Sequence, residues 1–539
     1  MLKRVCLFLL ALFCIFVSLP ICGYCETTAK NIGFPNSLSG MTNFVKLSNG
    51  FSEQGVLTYF SESDLLPYIA YLNQKGEISG KMFDAVIFSP SDETYPSGGS
   101  LIPGDDTESA VMSDWLLYFD SLFCANGILA SLENSVGNVY SAMRIDEKFK
   151  VFLTIPYPKA TQKAFGDING NGNNNFCYTV EERISVVTWF VNKYISAFNA
   201  RNFKNIELCG FYWGNREINY SHSSDELVLV SAFNKYVGDR GYKTIFGSAY
   251  CAIGCEKWSD AGFDASAMEL DAMLGADGSD FVALDIENLS ETVDIIKNKG
   301  MGVVLKPDGK KSFDGDNYMT AGYNYESYLY YGKQLGYMSS LKIFDQSFDR
   351  GSLSEFCYID SSTPKGIYLR RLYDLTYSFL RMTYSNKAPE ISADGNFELV
   401  YGDEQITINL AINDIDSYWD NIRIEFPKTP EHGRVAAASN KNAIIYNVDK
   451  GFFGADSFSV RVTDGFNVSQ EIEITLSVSA PEDSFVSDDL SSESNAVLEI
   501  PFNQKEGIPL WAIITLVGLA FLMFGVAIAA IVTSGKKNK

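Results

Sequence analysis

The sequence predicts an α/β fold, a (β/α)8 barrel, followed by an all-β sandwich and a single C-terminal transmembrane helix. Three observations predict it. From residue 55 to about 380, short apolar runs rich in β-branched and aromatic residues alternate with longer amphipathic ones, the signature of repeated βα units. From Pro389 the pattern changes to short alternating strands separated by turn residues. Leu510 to Val532 is an uninterrupted apolar stretch, long enough to span ~30 Å of hydrocarbon.

In chain order, residues 1–25 combine a basic start (Lys3, Arg4), an apolar run from Val5 to Pro20 and small residues near Cys25, which reads as a secretory signal peptide. Residues 26–384 hold the barrel. Its expected strands are "GVLTYF" (55–60), "FDAVIFSP" (83–90), "FKVFLTIPYP" (149–158), "NIELCGFYW" (205–213), "KTIFGSAY" (243–250), "DFVALDI" (280–286), "GVVLKP" (302–307) and "LKIFDQS" (341–347). Helical periodicity follows nearly every run, as in "ERISVVTWFVNKYISAF" (182–198) and "DELVLVSAFNKYV" (225–237). Eight such units argue for a closed barrel, whose active sites lie at the C-terminal strand ends. Residues 387–479 form the sandwich, 480–507 a Ser- and Asp-rich linker, 508–533 the membrane helix and 534–539 a basic tail. Lys536, Lys537 and Lys539 place that tail in the cytoplasm by the positive-inside rule, so the expected location is the cell membrane, single-pass, with the folded domains outside.

A formal net charge of -23 excludes nucleic acid as a partner, because phosphate binding needs a basic surface. Ten cysteines include Cys6, Cys14, Cys22 and Cys25 in the signal region, and the remaining six allow fifteen pairings among which sequence does not choose. The two histidines, His222 and His432, leave little material for histidine-dependent chemistry.

In the sandwich, "NKAPEIS", "AINDIDS", "PKTPEHGRV" and "AIIYNVDKGFFGADSFSVRVTDG" resemble the bacterial Ig-like, cadherin-like modules of surface proteins. The resemblance implies a spacer or adhesive unit. Some relatives bind calcium between repeats, which makes Asp414, Asp416 and Asp464 candidate ligands against the simpler reading of solvated loop acids; by the same pattern His432 is a turn residue.

In the barrel, "SESDLLPYIAYLNQKGEISGKMFDAVIF", "GFYWGNRE", "WSDAGFD", "GMGV", "YLYYGKQLGYMSSLKIFDQS" and "LYDLTYSFLR" resemble domain of unknown function 4855, a family without an assigned reaction. Its members look like glycoside-hydrolase-type barrels, and the analogy implies two carboxylates at the ends of strands 4 and 7. Glu217 follows strand 4 and is the candidate proton donor, with Tyr212 and Trp213 as sugar-stacking faces. At strand 7, relatives read approximately "GMGVEIE" where this chain has Val304 and Lys306, so the second carboxylate is missing there. The chain also departs after "GFD", where it reads "ASAM". Asp285 is the preferred replacement, ahead of Glu287 and Asp345; as a bland alternative Asp285 caps the next segment. Lys306, Tyr157 and Tyr250 complete the expected substrate-binding set.

"DINGNGNNN" places Asp167, Asn169 and Asn171 before Gly172 as in the first half of an EF-hand loop, but position twelve is Tyr178. Weak Ca2+ binding and an ordinary Asn/Gly-rich loop both fit, and no other cofactor is indicated. Three functions stay open at this point. The first is a membrane-anchored extracellular barrel that binds polysaccharide or cell-envelope glycan without turnover, and the second is a hydrolase with Glu217 as acid. The third is a structural surface-display protein.

Overall fold

The structure, a computed structural model, describes residue 35 and residues 37–49, 57–91, 93–104, 107–162, 164–221, 223–270, 286–306, 313, 318–346, 352–416 and 422–481. The expected signal peptide, linker, membrane helix and tail, and also Asp285 and His222, lie outside the described residues.

Eight parallel strands close into a barrel: β1 (Asn43–Asn49), β2 (Ala85–Pro90), β3 (Phe149–Ile155), β4 (Ile206–Trp213), β5 (Lys243–Ser248), β6 (Ala265–Glu269), β7 (Gly302–Leu305) and β8 (Lys342–Gln346). Each strand pairs with its sequence neighbours, and β8 returns to β1 with Lys46 opposite Asp345. A parallel sheet covered on both faces must be apolar on both, and β2 is buried at every position. The two-residue alternation then sorts side chains into two cores. Phe44, Ile87, Phe152, Tyr212, Ile245, Ala267, Val304 and Ile343 fill the lumen, while Val45, Phe88, Phe211, Trp213, Phe246, Met268, Val303 and Phe344 face the helices.

Outside lie α1 (Glu62–Ile69), α2 (Met112–Phe123), α3 (Ile128–Met143), α4 (Val180–Arg201), α5 (Asp225–Gly238), α6 (Ile286–Asn298), α7 (Tyr318–Leu335), α8 (Ser352–Tyr358) and α9 (Pro364–Leu380). Caps fix several of them. Ser61 and Asp64 form a capping box on α1, and Thr179 and Glu182 form one on α4. Thr363 caps α9, whose first residue is Pro364.

Two strand expectations are corrected. The first barrel strand is not "GVLTYF", where residues 58–60 carry no strand, but the preceding "NFVKLSN". Lys46 breaks the apolar run there, yet it points into the barrel and meets Asp345. The sixth strand is "ASAME", not 280–286. Residues 280–285 lie outside the described residues, and Ile286 already begins α6.

The sandwich follows in the same compact unit, which ends at Val478. It contains β9 (Glu390–Ser392), β10 (Asn396–Leu399), β11 (Gln405–Asn409), β12 (Ala411–Asn413), β13 (Arg423–Glu425), β14 (Gly433–Ala437), β15 (Ala443–Val448), β16 (Gly454–Thr463) and β17 (Ile472–Val478). The sheets run β10-β17-β16-β13 and β11-β15-β14, with the pair β9-β12 beside them, around Ile408, Ile444, Phe458, Val460 and Ile474. Asp456 accepts hydrogen bonds from the backbone N–H groups of Glu431 and His432 and from the Tyr446 hydroxyl, fixing the turn that holds His432. The barrel meets the sandwich through α7. Phe466 stacks on Tyr323 at 5.0 Å and packs against Tyr330 at 4.8 Å, and Tyr323 Oη donates to the Gly465 carbonyl. Beside them Arg371 makes a bidentate pair with buried Glu326 at 2.6 and 2.7 Å and donates to the Asp416 carbonyl.

Candidate functional site

A cavity of about 490 Å³ opens at the C-terminal ends of the barrel strands, and every strand or the turn after it contributes to its lining. Lys46 and Ser48 come from β1, Ser91 follows β2, Tyr157 and Lys159 follow β3, and Asn215, Arg216 and Glu217 follow β4. Ala249 follows β5, Glu269 ends β6, Lys306 follows β7 and Asp345 lies in β8.

The "GFYWGNRE" turn is held by its neighbours. Gly214 donates to the Ile155 carbonyl, and a Cβ at Gly214 would sit 2.4 Å from that oxygen, so the close approach requires glycine. Ala249 donates to the Arg216 carbonyl and Ile218 to the Ile253 carbonyl. These bonds tie the turn to the ends of β3 and β5 and leave Arg216 and Glu217 facing the cavity.

Two ion pairs make the floor. Lys46 Nζ lies 2.9 Å from Asp345 Oδ2, and Arg216 pairs with Glu269. Between them the Tyr212 ring sits under Lys46, whose ammonium is 5.8 Å from the ring centre. Burial pushes the Tyr212 hydroxyl well up, and the charges of Asp345 and Glu269 push it further, so it remains a neutral phenol. Glu217 is half-buried and, among the described residues, receives one hydrogen bond, from Asn219 Nδ2 at 3.3 Å. Lys306 is half-buried and has no ion-pair partner among the described residues.

The cavity therefore brings together Glu217, Lys306 and Tyr157 of the residues expected from sequence, with Tyr212 immediately beneath. It does not include Trp213. As the next residue along β4 from lumen-facing Tyr212, Trp213 points outward, is fully buried, and packs on Phe233 and edge-on to Tyr157. Tyr157 lines the cavity, but its ring packs against Arg183 and Trp213 and its hydroxyl donates to Glu226, which also pairs with Arg183. Burial, then the Glu226 carboxylate, raises the Tyr157 hydroxyl above the usual phenol range. Tyr250 is exposed and outside the cavity lining, because the chain turns away there and Ala249 and Ala252 line it instead. Val304, at one of the two strand-7 positions, is buried in the lumen core.

Sequence reasoning missed Lys46, Glu269 and the pairing of Arg216 with Glu269. The signal was there: in "NFVKLSN" and "ASAME" both charges keep the two-residue phase of the lumen face, Phe44–Lys46–Ser48 and Ala265–Ala267–Glu269.

The candidate calcium loop is self-contained. Asp167 accepts from the backbone N–H groups of Asn169, Asn171 and Gly172, and the Gly172 bond above all holds its carboxyl below the usual range. Asn171 accepts from the Asn173 N–H. In the sandwich Asp464 accepts from Phe466 and Asn467, and Asp416 from Lys387. Among the described residues no three acidic, His or Cys side chains gather as a metal site.

Residues 43–377 match the family model described as domain of unknown function (DUF4855). The chain belongs to this family. Residues 386–477 match a bacterial Ig domain, so the DUF4855 barrel is followed directly by the Ig module. Among solved structures, an endo-β-1,4-mannanase from Thermotoga petrophila is similar at 11% identity and a TM-score of 0.37, covering 82% of this chain and 100% of that one. An endo-fucoidan hydrolase of glycoside hydrolase family 107 is similar at 10% identity and a TM-score of 0.29, covering 82% and 83%. A putative β-galactosidase from Bacteroides fragilis is similar at 9% identity and a TM-score of 0.29, covering 81% and 55%. No curated protein matches.

Proposed function

We propose that the DUF4855 barrel binds carbohydrate in the cavity at its strand ends and does not hydrolyse it by the ordinary two-carboxylate route. One observation carries this reading. Of the three carboxylates that line the cavity among the described residues, Asp345 and Glu269 are each paired with a cation, and the strand-7 position holds Lys306. A two-carboxylate mechanism needs a nucleophile or base free to act opposite the acid; among the described lining residues Glu217 is the one carboxylate left without a cation. The rest of the described lining suits polyhydroxylated rings: Ser48, Ser91, Asn215 and Thr107 offer hydrogen bonds, and Ile102, Pro103 and Ala252 offer apolar surface. The signal-like residues 1–25 and the apolar run Leu510–Val532 support a membrane-anchored, outward-facing protein. For it the Ig module and linker serve as a stalk.

A second reading, hydrolysis with Glu217 as general acid, is favoured by one fact: Glu269 lines the same cavity and replaces Asp285 as the described candidate partner. A glycan array and a reducing-end release assay on the full chain and on Glu217→Gln separate the two. Retention of a glycan by the full chain with no release of reducing ends is the expected result. Release by the full chain that Glu217→Gln abolishes would establish the hydrolase.

A further inference from the structure

We infer that the saccharide this cavity takes is acidic, a sugar bearing a carboxylate or sulfate group, and that Lys306 is its counter-ion. The inference rests on the carbohydrate reading above and names its substrate class. Among the described residues the cavity is lined by four cations, Lys46, Lys159, Arg216 and Lys306, against three carboxylates. The described lining thus carries one more positive than negative charge in a chain whose formal net charge is -23. A local positive site in an acidic molecule steers anions to one place and repels them from the rest of the surface.

The cations differ in availability. Lys46 is spent on Asp345, and Arg216 on Glu269. Lys159 Nζ donates to the carbonyls of Gly104 and Thr107 and so holds the loop at the cavity rim. Lys306 has neither a carboxylate nor a carbonyl partner among the described residues, and it extends from the end of β7 beyond lumen-filling Val304. A half-buried ammonium facing a cavity wall of hydroxyls and amides is a point-charge site for an anionic oxygen group. Glu217 in the lining of the same cavity, with no cation among the described residues, disfavours a second acidic group on the ligand and favours hydroxyls beside it.

The test is an array of oligosaccharides in matched pairs, each uronate beside its methyl ester and each sulfate ester beside its desulfated form, probed with the full chain and with Lys306→Met and Lys306→Gln. The expected result is a preference of about 10-fold for the acidic member of a pair, the size of one partly desolvated charge-assisted contact. It should shrink between about 0.15 M and 1 M salt and fall to near unity in both variants, with melting temperatures unchanged. The uronate and sulfate arms identify which group is taken. Equal retention of acidic and neutral members, or a preference that survives in both variants, overturns the inference and leaves the carbohydrate reading standing. Retention of no saccharide overturns both.

Discussion

Lys46 and Asp345 meet with side chains 14% and 5% exposed, which makes their contact more than a surface ion pair. Removing one partner of such a pair leaves the other charge without compensation, and that costs more than the pair itself contributes. Asp345→Asn should therefore lower stability by about 3 kcal/mol in urea unfolding. Replacing both, Lys46→Met with Asp345→Leu, should recover most of it. The comparison also tests the cavity floor, since Lys46 without Asp345 is held only by the face of Tyr212. Tyr212 in turn is packed tightly: a Cβ at Gly247 would lie 1.6 Å from its hydroxyl, so the residue opposite must be glycine for the ring to stay under Lys46.

At the scale of the strand, β8 shows both faces of the barrel within four residues. Ile343 and Asp345 face the lumen, while Lys342 and Phe344 face the helices. Lys342 is 1% exposed, donates to the Ser340 carbonyl and lies 5.9 Å from the Phe379 ring centre, near Asp84 and Arg381. Burial pushes its ammonium down to about 7 from 10.5, against the opposing pull of Asp84. The folded value lies below the unfolded one, so the unfolded chain binds more protons between about pH 7 and 10.5. The penalty of burying the charge is fully present below pH 7 and is relieved as pH rises through that window. Lys342→Met should accordingly stabilise the protein at pH 6 and gain less at pH 9, read as the difference between the two melting temperatures at each pH.

The strands legible in the sequence are those with consecutive apolar residues, so that each face shows at least one, as in "AVIF" of β2, "VFL" of β3 and "IF" of β8. β2, β3, β4, β5, β7 and β8 all announce themselves as β-branched and aromatic runs bounded by turns. β1 is obscured because Lys46 interrupts its apolar run, and β6 because it is built of Ala, Ser and Met, weak strand signals, and ends in Glu269. Glu217 and Lys306 were visible as candidates for their positions after β4 and β7. The ion pairs that surround them were not, since Arg216 and Glu269, or Lys46 and Asp345, are brought together only by closure of the sheet.

For the whole molecule, barrel and Ig module share half-buried contacts between Phe466 and the rings of Tyr323 and Tyr330, and Arg371 donates to the Asp416 carbonyl. A hydrophobic contact of this kind couples the unfolding of neighbouring domains. Phe466→Ala should remove about 3 kcal/mol from that coupling, and scanning calorimetry should then show two separated transitions where the parent chain shows one. A single transition at unchanged width would mean the two bodies are coupled elsewhere.

Lys46 and Asp345 stand 299 residues apart. Their bond lies on the seam where the first strand meets the last, so the floor of the cavity exists only once β8 has docked. A chain emerging from the ribosome, or cut short before Lys342, has all of "GFYWGNRE" and most of the helices but lacks this ion pair and the strand that closes the cavity. Contacts of such sequence separation form late and slowly. The cavity floor is therefore completed at the final step of folding, and the glycan retention proposed above would serve as a stringent reporter of a completely closed chain.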